Sequence, residues 1–267
     1  MRLVKVLRWT VTLIALISMI LPSLIVIPLS LDASEFIQFP PTRISGINYQ
    51  TFFGSADWTQ AGLHTVVISI SSALLATLVG SMVAVGLVRT RFPGKNFVRA
   101  AFLLPMVMPT MILALGLYQM FASLRLLNTL LGLILAYTAL GMPVVILTVT
   151  AGLQSVDQTL EQAARVLGAS PVRAFLSVTL PAIRNSMLSG GIFAFIVAFD
   201  EVVIADFISG TDSVTLPLQM WLGLRFEISP VVPAAATLAL IFALAVFLVG
   251  ENIHRAYVRG PRKGVVG

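Results

Sequence analysis

The sequence predicts an all-α membrane protein with six transmembrane helices, on three observations. The chain is 58% hydrophobic and only 10% charged, with mean hydropathy +0.98, whereas about a quarter of an ordinary soluble domain is charged. Charges are absent from Thr10 to Leu31, Thr65 to Val88, Ala100 to Leu124, Leu126 to Val156 and Ile228 to Gly250. Each run meets the roughly 20 residues that a helix needs to cross a bilayer. A sixth run, from Asn185 to about Ser209, is apolar except for Asp200, Glu201 and Asp206. The third observation is charge placement. With six spans, the two ends and the loops near 89–99 and 153–184 share one side, which carries fourteen Lys and Arg residues. The other side carries three: Arg43, Arg125 and Arg225. That bias predicts cytoplasmic termini. The net charge of +6 then reflects topology and contact with anionic membrane lipid rather than nucleic-acid binding.

The first span is expected at about 7–31, after Arg2, Lys5 and Arg8, with Pro22 and Pro28 bending its outer half. Its apolar core is longer than that of a signal peptide, and no small-x-small cleavage site precedes Asp32, so it reads as a retained helix. Residues 32–63 are polar and aromatic, with Phe36, Phe39, Tyr49, Phe52, Phe53 and Trp58, and predict an outer-face loop with a short interfacial helix. The second span follows at about 64–88, opened by an interfacial His64. A basic loop, Arg89–Arg99, turns on Pro93-Gly94. The third and fourth spans are expected at about 100–123 and 128–152. They carry Pro105, Pro109 and Pro143, which membrane helices accommodate through packing. The fifth is expected at about 185–209 and the sixth at about 228–250, followed by a short, basic, frayed tail from Asn252. Six spans fill most of a single domain, 1–267, and leave no room for a soluble catalytic one.

Between the fourth and fifth spans, residues 153–184 form a polar, Arg-bearing loop. Helix formers around Ala163, Ala164 and Leu167 predict a short helix. Ala169-Ser170-Pro171 predicts a break, with Pro171 suited to the first turn of a second helix. Ala163, Ala164 and Gly168 allow close backbone approach, and Gly168 also frees the turn sterically. Leu180-Pro181 is expected to end this elbow where the chain turns back to the membrane. The chain has no cysteine and only two histidines, His64 and His254, so neither thiolate chemistry nor a His-rich metal site is available.

The offsets are specific: Gln162-Ala163-Ala164, three residues, Gly168, nine residues, Val178, one residue, Leu180-Pro181. The pattern resembles the "EAA" coupling loop of ABC importer permeases, E-A-A, x3, G, x9, I, x, L-P. Gln162 stands in for its Glu, with Glu161 one residue earlier, and Val178 stands in for its Ile. Neutralising Glu161 is accordingly expected to be mild. Phe199–Trp221, with Asp200-Glu201, Phe207, Gly210 and Thr215-Leu216-Pro217-Leu218, looks like the polyamine (spermidine/putrescine) permease group. So do Arg91–Phe97 and Ser229–Leu240.

The resemblance implies a type I ABC importer permease fold in the bacterial cytoplasmic (inner) membrane. It implies a second permease subunit as a heterodimeric partner, two cytoplasmic ABC ATPase subunits docking on the loop, and a periplasmic or extracellular solute-binding protein. The chain itself would be no enzyme and bind no cofactor, with ATP and magnesium on the ATPase subunits. Leu188-Ser189-Gly190-Gly191 spells the start of the ABC ATPase signature, but no phosphate loop G-x-x-x-x-G-K-[ST] exists. Small residues there are expected to pack helices. The solute is expected to be a polyamine; an opine, amino acid derivative or aminophosphonate is the alternative. From other classes, an ATP-independent carrier or a membrane enzyme would need no docking elbow. Asp200 and Glu201, read as lying within a span, are either pathway or gate residues for a cation, or structural acids paired in the membrane. Asp206 is five residues beyond Glu201, about 140° around a helix, and is expected at the outer rim. Trp221 is expected to anchor at the headgroups.

Overall fold

The computed structural model describes residues 2–34 and 38–258. Twelve α-helices follow one another among them: α1 (Arg2–Ser30), α2 (Ile47–Gly54), α3 (Ala56–Arg89), α4 (Lys95–Val107), α5 (Thr110–Leu124), α6 (Leu130–Ser155), α7 (Gln158–Val166), α8 (Pro171–Ala174), α9 (Leu180–Phe199), α10 (Val203–Ile208), α11 (Leu216–Leu222) and α12 (Val232–Val258). Wide π turns occupy Phe175–Thr179 and Gly223–Glu227. Among the described residues, pairing of strand type is confined to the isolated bridge Asp32–Ile44. The chain falls into two compact units, Met1–Gly62 with Gln219–Phe242, and Leu63–Leu218 with Ala243–Gly267.

Five stretches are long and apolar enough to cross a membrane: Leu7–Ser30, Ala56–Arg89, Leu130–Ser155, Pro171–Phe199 and Val232–Ile253. They become six if the bent pair α4 and α5 is taken as one span. α4 and α5 meet at 109° across Met108-Pro109 rather than forming one helix over 100–123. Proline disfavours helical geometry in the residue before it and donates no backbone hydrogen bond, and Met108 is extended. By contrast α1 runs through Pro22 and Pro28, and α6 through a buried Pro143, so those prolines are absorbed.

In the first unit, the end of α1 is stapled to α2 by polar groups. The Asp32 carboxylate accepts from Ser34 Oγ (2.6 Å) and from the N–H groups of Ser34 and Arg43 (both 3.3 Å). Asn48 Nδ2 donates to the Asp32 carbonyl (2.8 Å), and Ser30 Oγ lies 2.7 Å from Tyr49 Oη. The Ser34 hydroxyl holds the Asp32 carboxyl below the usual carboxylate range. The expected interfacial helix is α2, where Phe52 stacks edge-on with Phe53 and tilted against Trp58. Phe36 lies outside the described residues.

The second unit is built on α6 against α9. Leu133, Tyr137, Val145, Val149 and Leu153 of α6 are buried, as are Ile183, Ala194, Phe195 and Ala198 of α9. Small residues set the spacing. A Cβ on Gly141 would lie 3.0 Å from Ala194 Cβ, and one on Gly190 would collide with Thr148 Oγ1 and sit 3.1 Å from Val145 Cα. One on Gly191 would come within 2.7 Å of Thr77 Oγ1 on α3. Residues 188–191 therefore pack helices closely, as small residues do in lipid.

The fifth span differs from the 185–209 expected. It begins at Pro171 and ends at Phe199, 29 residues, about 43 Å at 1.5 Å per residue. A span of that length needs no contribution from residues 200–209, which form a break and the short α10. α12 runs to Val258, so the first residues of the expected frayed tail are helical. Residues 259–267, with Arg259, Arg262 and Lys263, lie outside the described residues.

Candidate functional site

The polar loop folds as the offsets anticipate, into a capped helix and a tight elbow. The Asp157 carboxylate accepts the Thr159 N–H at 2.9 Å and caps α7. That bond holds the Asp157 carboxyl below its ordinary value. At the other end the Gly168 N–H bonds the Arg165 carbonyl and the Ala169 N–H the Ala164 carbonyl, each at 3.0 Å. This crossed pair is a Schellman closure, and Gly168 takes its left-handed position at φ +94°. Ser170 Oγ accepts from the Arg173 N–H, and Pro171 opens α8 at its first turn.

Gln162, Ala163 and Ala164 lie on α7, Val178 in the wide turn, and Leu180-Pro181 at the start of α9. Gln162, Ala163, Gly168 and Pro181 are exposed; Ala164, Val178 and Leu180 are half-buried. Leu180-Pro181 does not end a separate second helix. Instead α8, the wide turn and α9 run on as one span. Pro181 has no N–H, and the Leu180 N–H reaches back five residues to the Phe175 carbonyl. A widened turn accommodates a proline that an ordinary turn would exclude. At the elbow tip, Val166 and Leu167 are each 87% exposed, beside an exposed Val172.

Glu161, not Gln162, makes this chain's own polar contacts. Thr179 Oγ1 donates to Glu161 Oε2 at 2.8 Å. Arg89 Nη2 at the end of α3 lies 3.5 Å from the same oxygen, the two side chains being 17% and 24% exposed. Arg89, Gln158, Glu161, Gln162 and Arg165 line a polar cavity of about 180 Å³. The expectation that Glu161 is indifferent to neutralisation does not fit these contacts. No sequence signal links positions 89, 161 and 179; only the fold brings them together.

The two acids after α9 differ in their surroundings. Asp200 is exposed at the C-terminal end of α9. The half-buried Glu201 is engaged by its surroundings: its carboxylate accepts the Ile204 N–H at 2.9 Å, and its carbonyl accepts from Tyr137 Oη at 2.9 Å. Asp206 lies on α10, so the helical angle between it and Glu201 does not apply. The segment that follows is pinned by the Asn128 N–H on the Ile208 carbonyl (3.0 Å). His64 Nδ1 lies 3.1 Å from the Val214 carbonyl, and the Leu216 N–H donates to Thr65 Oγ1 (2.6 Å). His64 thus has a structural task.

A family model described as "Binding-protein-dependent transport system inner membrane component" matches residues 76–263, most of the chain. The chain belongs to that family. The permease is 31% identical over 207 residues to the spermidine/putrescine transport system permease protein PotC of Haemophilus influenzae, covering 78% of this chain and 80% of that one. It is 29% identical over 248 residues to PotC of Escherichia coli K12, covering 90% of each. In fold it is similar to a chain of a bacterial ABC transporter involved in import of the acidic polysaccharide alginate, with TM-score 0.74, 15% identity and coverage of 94% and 96%. It is an ABC importer permease, a multi-pass inner-membrane transport subunit with the type I permease fold. Family membership removes the carrier and membrane-enzyme alternatives.

Proposed function

We propose that this permease, paired with a second permease as a heterodimer, forms the pathway for a polyamine and is driven through residues 162–181. Two cytoplasmic ATPase subunits dock on the elbow and carry the ATP and magnesium; this chain holds neither. A solute-binding protein in the periplasm or outside the cell delivers the cation. The observation that carries the coupling reading is the elbow itself, a Gly168-closed turn with bare Val166 and Leu167 at its tip. The fourteen-to-three distribution of basic residues supports cytoplasmic placement of that loop and of both termini. The polyamine reading draws support from the spermidine/putrescine permeases that the chain resembles. Asp200 meets the solute, as an exposed carboxylate just past the end of a span. Glu201, which ties α10 to the site, acts as the gate's fixed side.

The test uses the whole importer, reconstituted in proteoliposomes with its ATPases, companion permease and binding protein. Gly168→Trp is expected to lower uptake and binding-protein-stimulated ATP hydrolysis together while the permease still inserts. Wild-type uptake by that variant defeats the coupling reading. Asp200→Asn is expected to depress uptake of spermidine while the binding protein's affinity stays unchanged. Full spermidine uptake by Asp200→Asn removes Asp200 from the pathway.

A further inference from the structure

We propose that Arg89, Glu161 and Thr179 form the joint through which movement of α7 reaches two membrane spans at once. The inference rests on the docking reading of the elbow. Each of the three residues sits at a strategic end. Arg89 is the last residue of α3, Glu161 lies on α7, and Thr179 closes the wide turn that feeds α9. A single oxygen, Glu161 Oε2, receives both Thr179 Oγ1 and the Arg89 guanidinium. One carboxylate therefore grips two spans from the docking helix.

Energetics favour a positioning role over a stabilising one. A partly exposed ion pair contributes little to folding, because water and salt screen it. Its geometry is nevertheless constrained. Thr179 is fully buried, and Arg89 Nε and Nη2 are buried without a hydrogen-bond acceptor. Arg89 thus relies here on the charge of Glu161. Direct packing of α7 on α8 and the wide turn transmits motion to α9. The Arg89–Glu161 pair adds a polar tie to α3, so removing it leaves α7 pushing on one span rather than two.

Spatial intermediacy alone does not establish coupling, and a charge swap supplies the direct test. In the reconstituted importer, uptake and ATP hydrolysis are measured in parallel for Glu161→Arg, Arg89→Glu and the double variant, with complex assembly followed by pull-down. Each single reversal is expected to assemble and hydrolyse ATP, but to take up spermidine with roughly fivefold less yield per ATP. The double variant, which restores opposite charges, is expected to recover to within roughly twofold of wild type. Thr179→Val is expected to show a partial loss. Wild-type yield in both single variants overturns the joint. So does a double variant no better than the worse single one. If the reversals fail to assemble, Glu161→Gln decides, because it keeps the Thr179 acceptor and loses only the charge facing Arg89; an unchanged yield then refutes the proposal. Gly168→Trp serves as the control. If it keeps wild-type uptake and stimulated ATP hydrolysis, the docking reading falls; if it loses both while the Arg89 and Glu161 variants keep the wild-type yield per ATP, only the joint falls.

Discussion

Gly168 separates two effects that a bulky substitution would merge. Its φ of +94° lies where a side chain is strained, yet nothing in this chain stands within 4 Å of a Cβ placed there. Gly168→Ala is therefore expected to cost about 1 kcal/mol through backbone strain alone, with uptake retained. Gly168→Trp carries the same strain and adds bulk that only a docked partner can feel. Comparing ATPase pull-down and uptake for the two variants isolates the contact from the conformation. Glu201 calls for a similar division. Glu201→Gln keeps an acceptor for the Ile204 N–H. Glu201→Ala removes the acceptor of the Ile204 N–H in the first turn of α10, at a cost of about 1 kcal/mol, visible as a lower melting temperature in detergent. Asp200→Asn touches no such bond and is expected to leave the melting temperature unchanged.

The α6–α9 pair is where small size has the largest consequence. Gly190→Ala must push a methyl group against Thr148 and the Val145 backbone, and overpacking of this kind costs about 1–3 kcal/mol. Thermal unfolding of the purified permease is expected to record it, and Gly168→Ala provides a solvent-exposed comparison. The cap of α7 predicts a pH response. Because the Thr159 N–H lowers the folded-state pKa of Asp157, its contribution is present above the ordinary carboxylate value and lost as pH falls through the depressed one. The first turn of α7 is thus expected to hold down to about pH 4, and Asp157→Asn to remove the acid-side loss, as read by hydrogen exchange over residues 158–161. Much of this architecture was legible beforehand. Charge-free runs and loop offsets locate the spans, α7 and the Gly168 turn, because these depend on local composition and spacing. The end of the fifth span at Phe199, the break at Met108-Pro109 and the Arg89–Glu161–Thr179 cluster were not legible. The cluster depends on partners distant in sequence and the end of the span on how much of a long apolar run the helix uses, while Pro109 breaks its span where Pro22, Pro28 and Pro143 are absorbed, a difference that the local sequence does not mark.

Across the membrane, sidedness can be measured directly because the chain contains no cysteine. Val166→Cys and Arg43→Cys are expected to react with an impermeant maleimide from opposite faces of oriented vesicles. Reaction from the same face would contradict a topology with the elbow inside. In the first unit, α1 has a different consequence. Within its apolar stretch, Leu7–Ser30, an 18-residue window has mean hydropathy 2.5 and no residue buried by the rest of the chain. It also leaves the ribosome before α3, α6, α9 and α12 exist to shelter a polar group. Its greasiness on every side is thus a requirement of biosynthesis as much as of the finished assembly. α1 has to partition into lipid on its own composition, its Thr12 and Ser18 hydroxyls returned to the Arg8 and Ala15 carbonyls of the same helix, while Gly190 of α9 is shaped for an α6 already in place when it arrives.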